Sequence, residues 1–509
     1  MGMKKRDAFP ALIAVLIFAG CAAHRPYEAQ IARTTPGTAS ATATITVRPA
    51  PDTAELARRI DTAIDTSEFL KPAVTGVMVT DLGGRVLYSR NGEKLFTPAS
   101  TAKVFTAVAS LHYLGSEYRF ETHLYTDAAK NVYIKGFGDP SFSTGDLYSM
   151  AVHFAQMGVR KVNDIVVDDS YYDTLRLGHG WMWDDDPYPF MARLSALSLD
   201  WNIIEVTVRP TKVGKPPAVS IFPPSRFIKV KNEAVTVDSG RTRIKVNRVL
   251  VDNENWVVVS GKIRKGSKEV VKYRNIENPT LHVGYVFASM LKELGVRVAG
   301  RVRRDTVPSN ATLIYVHRSK PLFEIVADML KASNNQKAEM LLKAVGAAVD
   351  SPPGTSAKGI KAVKLLLSEQ VLGADTLQFR LVDGSGLSRY DLISPKLHVS
   401  LLRWAFQNRK LMPEFLTAMP IGGVDGTLEK RMQWDSGGRH VRAKTGTMSG
   451  VSALTGYVWP DGKQPLVFSI LMNNFVGSAR HAQAVQDEIV RAIYEWYVGA
   501  PPDTTGKEQ

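Results

Sequence analysis

The sequence predicts an α/β (α+β) protein built on a five-stranded antiparallel sheet with helices on both sides, interrupted by a long, mainly β insertion. Three observations carry this. Two strand-like runs joined by Gly83-Gly84 stand near the start of the chain. Three more stand near its end, and an amphipathic helix follows them. Between residues 125 and 308 the texture changes to short strands and turns with few long helices.

The 509 residues suffice for about three domains. Hydrophobic content of 44% and charged content of 22% are ordinary globular values, so a buried core is affordable along most of the chain. The net charge is +15, which raises nucleic acid as a partner. No zinc-ligand cluster, RNA-binding aromatic motif or dense basic helix supports that, and no nucleic acid is expected. A basic surface also suits an anionic polymer such as a cell wall, or a membrane surface.

Lys4, Lys5 and Arg6 precede a short apolar run, Phe9 to Gly20, too short for a membrane span. Phe18-Ala19-Gly20-Cys21 ends it with small residues before the single cysteine of the chain. This looks like a bacterial lipoprotein signal covering residues 1–21, with Cys21 lipidated after cleavage. Phe18 stands where such signals usually have an aliphatic residue. An ordinary signal peptide cut nearby would export the chain equally. Ala22 after the cysteine resembles signals that send lipoproteins to the outer membrane. One cysteine permits no intramolecular disulfide. Residues 22–50 read as a flexible tether, and 500–509 as a disordered tail.

The folded part begins near Pro51 with a helix, Thr53 to Ser67. Strands Val74–Leu82 and Arg85–Ser89 follow, then a helix carrying Ser100, with Thr97 expected to cap it and Pro98 at its first position. In the insertion, Lys161–Asp168, Ala218–Phe222, Thr242–Val249 and Trp256–Ser260 read as strands and Thr280–Leu294 as the clearest helix. Gly136-Phe137-Gly138-Asp139-Pro140 lacks the third glycine and the following helix of a dinucleotide fingerprint and reads as a turn. Helical patterns return at Leu322–Leu330, Lys337–Val349 and Ile360–Val371, then comes a polar glycine-rich loop around Asp383-Gly384-Ser385-Gly386. Arg439–Gly446, Val451–Trp459 and Leu466–Met472 are the late strands, and Arg480–Tyr497 is the closing helix. The expected organisation is therefore a catalytic domain split between 51–124 and 309–499, with the insertion 125–308 forming two nested domains.

Ser100 and Lys103 are spaced to share one helical face. The segment after Lys103 is almost wholly apolar or small, the mark of a core helix, so its amine is desolvated and disposed to act as a base. An adjacent base activates a serine, which alone is a weak nucleophile. About two Ser-x-x-Lys matches arise by chance in a chain this long. The second here, Ser289 to Lys292, lies in an amphipathic segment where Lys292 should face water. Ser100 is set apart by ordered companions: Ser333-Asn334-Asn335 and Lys444-Thr445-Gly446. Serine β-lactamases and penicillin-binding proteins carry this set in this order.

On these residues, with Gly136 to Pro140, Ser195 to Ser198, Asp383 to Arg389, Gly422 to Leu428 and Thr447, the chain resembles the D-alanyl-D-alanine carboxypeptidases/endopeptidases of the low-molecular-mass class C penicillin-binding proteins. The resemblance covers about residues 54–498, and the long insertion is itself a mark of that class. It implies a serine β-lactamase/penicillin-binding-protein-like transpeptidase fold. It implies Ser100 as nucleophile, Lys103 as general base, and Ser333 and Lys444 as a proton relay to the leaving amine. Asn335 would hold the substrate amide, Thr445 or Thr447 the terminal carboxylate, and the N–H groups of Ser100 and Thr447 the oxyanion. Gly446 would let substrate lie along the strand edge. Arg389, Asp185 and Phe190 would meet the side chain of the stem peptide, although Arg193 stands where the family usually has proline and three consecutive aspartates blur the register. The partners implied are peptidoglycan stem peptides, β-lactams as covalent inhibitors, and the membrane through Cys21; no cofactor or metal is required. A β-lactamase or esterase, and a catalytically silent penicillin-sensing wall-binding module, are the competing readings. The intact motifs argue against the silent one, and the large insertion favours a polymer substrate.

Overall fold

In a computed structural model of the chain, residues 52–372, 378–434 and 437–499 are described. The leader 1–21 with Cys21, the tether 22–50 and the tail 500–509 lie outside them.

The five-stranded antiparallel sheet is present, in the order Val441–Met448, Val451–Val458, Leu466–Asn473, Val74–Thr80, Val86–Arg90. Alternate strand residues serve opposite faces. Val77 and Val79 join Phe468 and Ile470 against Leu56 and Ile60 of the helix Thr53–Asp65 and Ile489 and Ile493 of the helix Ala479–Val498. Met78, Tyr457 and Val467 face the other way, towards Val104 and Val108 of the helix Lys103–Leu114. Strands Val451–Val458 and Leu466–Asn473 are buried at every residue, as strands covered on both faces must be. The helix Pro395–Gln407 was not anticipated, although Ser394 caps it through Leu397 N and Pro395 holds its first position.

The start of the Ser100 helix differs from expectation. Ser100 lies in a 3₁₀ turn, Ala99–Ala102, that runs into the α-helix Lys103–Leu114, and Pro98 rather than Thr97 stands at its N-cap with no side-chain bond. Thr97 is held instead by the neighbouring strand: its N–H donates to Asn473 Oδ1 at 2.8 Å and its carbonyl accepts from Asn473 Nδ2 at 3.1 Å. Those bonds keep Thr97 outside the turn, so Ala99 makes the bend with φ +47°.

The residues between the two parts of this sheet build further sheets. One has the order Val302–Arg304, Ile165–Asp168, Val132–Gly136, Glu121–Thr126, Thr312–Arg318, so its paired strands Glu121–Thr126 and Thr312–Arg318 reach past the limits 125 and 308. Its core, with Leu124, Ile134, Val167 and Phe287, packs under the helices Thr144–Gln156 and Pro279–Glu293. The expected strand Lys161–Asp168 is broken into Lys161–Val162 and Ile165–Asp168, because the side chains of Asn163 and Asp164 take backbone partners at Ala129 and Arg301. A separate core holds Val206, Val208, Val257 and Val259. Within it Arg243–Val251 and Glu254–Arg264 form a hairpin whose turn, Asp252-Asn253, has positive φ at both residues. On the helix Pro279–Glu293, Ser289 Oγ donates to Tyr285 O and Lys292 is exposed, so the second Ser-x-x-Lys match faces solvent.

Candidate active site

Three elements converge on Ser100. Lys103 opens the buried helix Lys103–Leu114 and is itself fully buried. Its Nζ lies 2.9 Å from Ser100 Oγ, 2.6 Å from Asn335 Oδ1 and 2.7 Å from the Ser385 carbonyl. Burial pushes the amine down to about 7, against the opposing pull of Asp383, Glu339 and Asp391. Near neutrality a large share is therefore uncharged and able to accept the Ser100 proton across that 2.9 Å contact.

The helix Leu322–Ala332 ends at Ser333, whose φ of +55° turns the chain sharply. Asn334 then caps the next helix, Asn335–Asp350, through Lys337 N. This corner aims Ser333 and Asn335 at the same space. Opposite them is the strand Val441–Met448, which includes Thr447. Lys444 is fully buried, and its Nζ donates to Ser333 Oγ at 2.9 Å and to the Thr445 carbonyl at 2.8 Å. Burial first, and then the charge of Lys103, hold this amine well below the ordinary lysine range. Thr445 Oγ1 lies 2.7 Å from Thr427 Oγ1, and the exposed Thr447 hydroxyl accepts from Gln483 Nε2 at 3.4 Å. A Cβ at Gly446 would meet Pro98 O at 2.7 Å and Ser100 N at 3.0 Å, so only glycine lets the strand edge come this close to the serine.

The glycine-rich loop is a buried knot. Asp383 Oδ1 accepts from the backbone of Ser385 and Gly386, and Oδ2 from Ser388 N and from Trp181 Nε1 at 2.9 Å. The knot presents the Ser385 carbonyl to Lys103. Glu339 clamps it from the helix, accepting from Gly384 N at 2.9 Å while completely buried. Glu339, Thr427 and Trp181 were not singled out from sequence. For Glu339 the signal existed: it lies four residues after Asn335, on the same helical face.

A family model described as the D-Ala-D-Ala carboxypeptidase 3 (S13) family matches residues 56–495. The chain belongs to this family. It is 36% identical over 468 residues to a D-alanyl-D-alanine carboxypeptidase of an Actinomadura species, covering 87% of this chain and 85% of that one. It is 30% identical over 407 residues to the D-alanyl-D-alanine carboxypeptidase DacB of Haemophilus influenzae, covering 77% and 83%. The crystal structure of penicillin binding protein 4 from Haemophilus influenzae superposes with a TM-score of 0.75 at 27% identity, covering 86% of this chain and 99% of that one. A second structure of that protein, complexed with a β-lactam, gives 0.70 at 26% identity, covering 85% and 98%.

In this S13 member the peripheral residues fall around the same centre. The three aspartates separate: Asp186 is bound by Arg248 Nη2 at 2.6 Å and lies 3.3 Å from Arg193 Nη2. Arg193, standing at the family's usual proline, is buried and also donates to Glu277 at 2.6 Å. That network ties Asp186 to two arginines and leaves Asp185, half-buried, within electrostatic reach of Arg389. Burial and then Asp184 raise the Asp185 carboxyl, and Arg389 opposes them. Arg389 is exposed and donates to Ser449 O at 2.9 Å. The Phe190 ring is exposed and stacks on Tyr188 at 5.7 Å, while its carbonyl accepts from Asn335 Nδ2 at 2.8 Å. Phe190, Ser333 and Asn335 share a cavity of about 380 Å³.

Proposed function

We propose that the chain is a serine DD-peptidase that cleaves D-alanyl-D-alanine ends, D-alanyl-diaminopimelate cross-links, or both, in peptidoglycan. The single observation that carries this reading is the contact between the buried Lys103 amine and the Ser100 hydroxyl, completed by the second lysine–serine pair, Lys444 and Ser333.

Ser100 Oγ attacks the carbonyl carbon of the penultimate D-alanine, and its proton passes to Lys103 Nζ. The N–H groups of Ser100 and Thr447 receive the oxyanion; one such donor is typically worth about 3 kcal/mol. As the C–N bond breaks, the Ser333–Lys444 pair delivers a proton to the leaving amine. Asn335 holds the amide on the acyl side, and Thr445 or Thr447 the terminal carboxylate, with Gly446 admitting the substrate to the strand edge. Water then attacks the Ser100 ester and releases the shortened peptide. A β-lactam carbonyl acylates the same hydroxyl. Arg389, Asp185 and Phe190 receive the diaminopimelate side chain, whose amine and carboxylate suit an acid and a base placed together. The catalytic domain is split around the insertion. Cys21, lipidated, anchors the exported enzyme in the periplasm at the outer membrane.

Incubation of the soluble domain with cross-linked muropeptides tests the reading. Free D-alanine, separated monomers, or both should form, with Ser100→Ala forming none. A wild type that releases nothing yet keeps a stable penicillin adduct would sink it. For the anchor, a lipid precursor label should follow Cys21 and vanish in Cys21→Ser.

A further inference from the structure

A second, larger cavity adjoins the site. Its volume is about 580 Å³, against about 380 Å³ for the one beside Ser333 and Asn335. The two share the walls Trp201, Ile203 and Tyr273, so they adjoin along one side of a groove. Lys337, two residues along the helix from Asn335, lines the far part.

The far part carries its own aromatic platform. Trp201, Phe222 and Tyr273 are 43%, 53% and 47% exposed, and all three turn to this cavity. Trp201 is held there by an unusual backbone: Asp200, Trp201 and Asn202 have φ of 46°, 60° and 58°, three successive non-glycine residues in the left-handed region. Such a run costs stability and persists only where surrounding bonds enforce it. Here Asp200 takes Thr144 N at 3.1 Å and Asn202 Nδ2 donates to the Arg193 carbonyl at 2.7 Å. Lys337 Nζ sits 5.4 Å from the indole centre, a cation against the ring.

The charges select the ligand. Each cation of the lining already has a carboxylate: Arg318 with Glu121, Lys320 with Glu324, Lys337 with Asp328. Against these three cations the lining sets four carboxylates, Asp146, Asp200, Glu205 and Asp328, so it has no excess positive charge to attract an anionic peptide. The carboxylates Asp146, Asp200 and Glu205 already accept from Ser143, Thr144, Thr207 and Tyr273, and their remaining lone pairs lie on the same wall. Aromatic faces with surplus acceptors suit a neutral, hydroxyl- and amide-rich ring, whose C–H face stacks and whose O–H and N–H groups donate.

We infer that this cavity is a glycan subsite, receiving the N-acetylated amino-sugar end of the peptidoglycan strand whose stem peptide is held at Ser100. The inference rests on the DD-peptidase reading. There the terminal carboxylate lies towards Thr447 and the acyl-side amide at Asn335, so the rest of the stem peptide leaves past Asn335 and Phe190, into the shared groove.

The test compares one stem peptide with and without its disaccharide, in wild type, Trp201→Ala and Phe222→Ala. The ratio of kcat/KM, sugar-bearing over sugar-free, should exceed one in wild type and fall about tenfold in each variant. Soluble oligomers of N-acetylglucosamine should bind wild-type protein in calorimetry and bind both variants more weakly. Unchanged ratios with no oligomer binding overturn the subsite. An equal loss on both substrates also overturns it, and assigns the groove to peptide. Penicillin acylation of Ser100, followed by mass spectrometry in all three proteins, reports folding and the underlying reading separately. If wild type is not acylated, the DD-peptidase reading itself fails.

Discussion

Gly446 faces the backbone of Ser100 so closely that an added Cβ would stand 3.0 Å from Ser100 N and 2.7 Å from the carbonyl of Pro98. Both neighbours are backbone and cannot rotate away, so Gly446→Ala must push the strand edge off the serine turn. In the proposed mechanism that displaces the Ser100 N–H relative to the Thr447 N–H, the two oxyanion donors. The rate of penicillin acylation should fall about 100-fold, the effect of losing one such donor. Stopped-flow or mass-spectrometric acylation rates measure it, and a near-wild-type rate would show that the close approach is dispensable.

The Lys103 amine, brought down to about 7 by burial, sets a pH dependence. Only its neutral form can take the Ser100 proton, so acylation should rise with pH and level off above an inflection near 7. An inflection near the ordinary lysine value, or a rate falling with pH through this range, would remove Lys103 from the role of base. Lys103→Ala should cost about 1,000-fold or more, within the range general bases contribute.

Glu339 predicts a pH dependence of stability. Burial, then the neighbouring Asp383, push its carboxyl up from 4.5 to about 8. Between these values the folded state holds a proton that the unfolded state has released. The group's stabilising contribution is therefore complete below about 4.5 and is lost as pH rises towards 8. The slope is about 1.4 kcal/mol per pH unit within that window. Glu339→Gln retains an acceptor for Gly384 N and cannot ionise, so urea midpoints should lose this slope. If the variant and the wild type share the same pH profile of stability, Glu339 is not held protonated.

Arg389 and Asp185 make a prediction about selectivity. Asp185 lies within electrostatic reach of Arg389, and Arg389 donates to Ser449 O rather than to either lysine–serine pair. Arg389→Ala and Asp185→Asn should raise KM for a diaminopimelate-containing peptide about tenfold. Penicillin acylation, which presents no such side chain, should change far less. Equal losses on both would mean that these residues shape the serine site rather than the side-chain pocket.

The sheet was legible because Val74–Thr80, Val451–Val458 and Leu466–Asn473 are largely apolar runs and short, glycine-marked turns join the strands. Ser100, Lys103, Ser333, Asn335 and Lys444 were legible because fixed local spacings mark them. The helix Pro395–Gln407 went unread although Ser394 and Pro395 announce it. Thr97 was read as a cap because local rules name threonine before proline, but Asn473, far along the chain, claimed its backbone first. The residues 184–186 could not be ordered from sequence, since three identical side chains carry no register; Arg248 and Arg193 single out Asp186 by binding it.

Sequence alone determined the fold class, the family and the motif residues, since local periodicity and spacing encode them. Tertiary structure decided what those residues become. It took folding to bury Lys103 beside Asp383, Glu339 and Asp391, and so to set its proton affinity, because desolvation and charge proximity exist only in three dimensions. It took folding, too, to join Trp201, Phe222 and Tyr273 into one wall, because strand pairing sets Phe222 and Tyr273 on either side of Glu205 in one sheet although they are far apart in sequence.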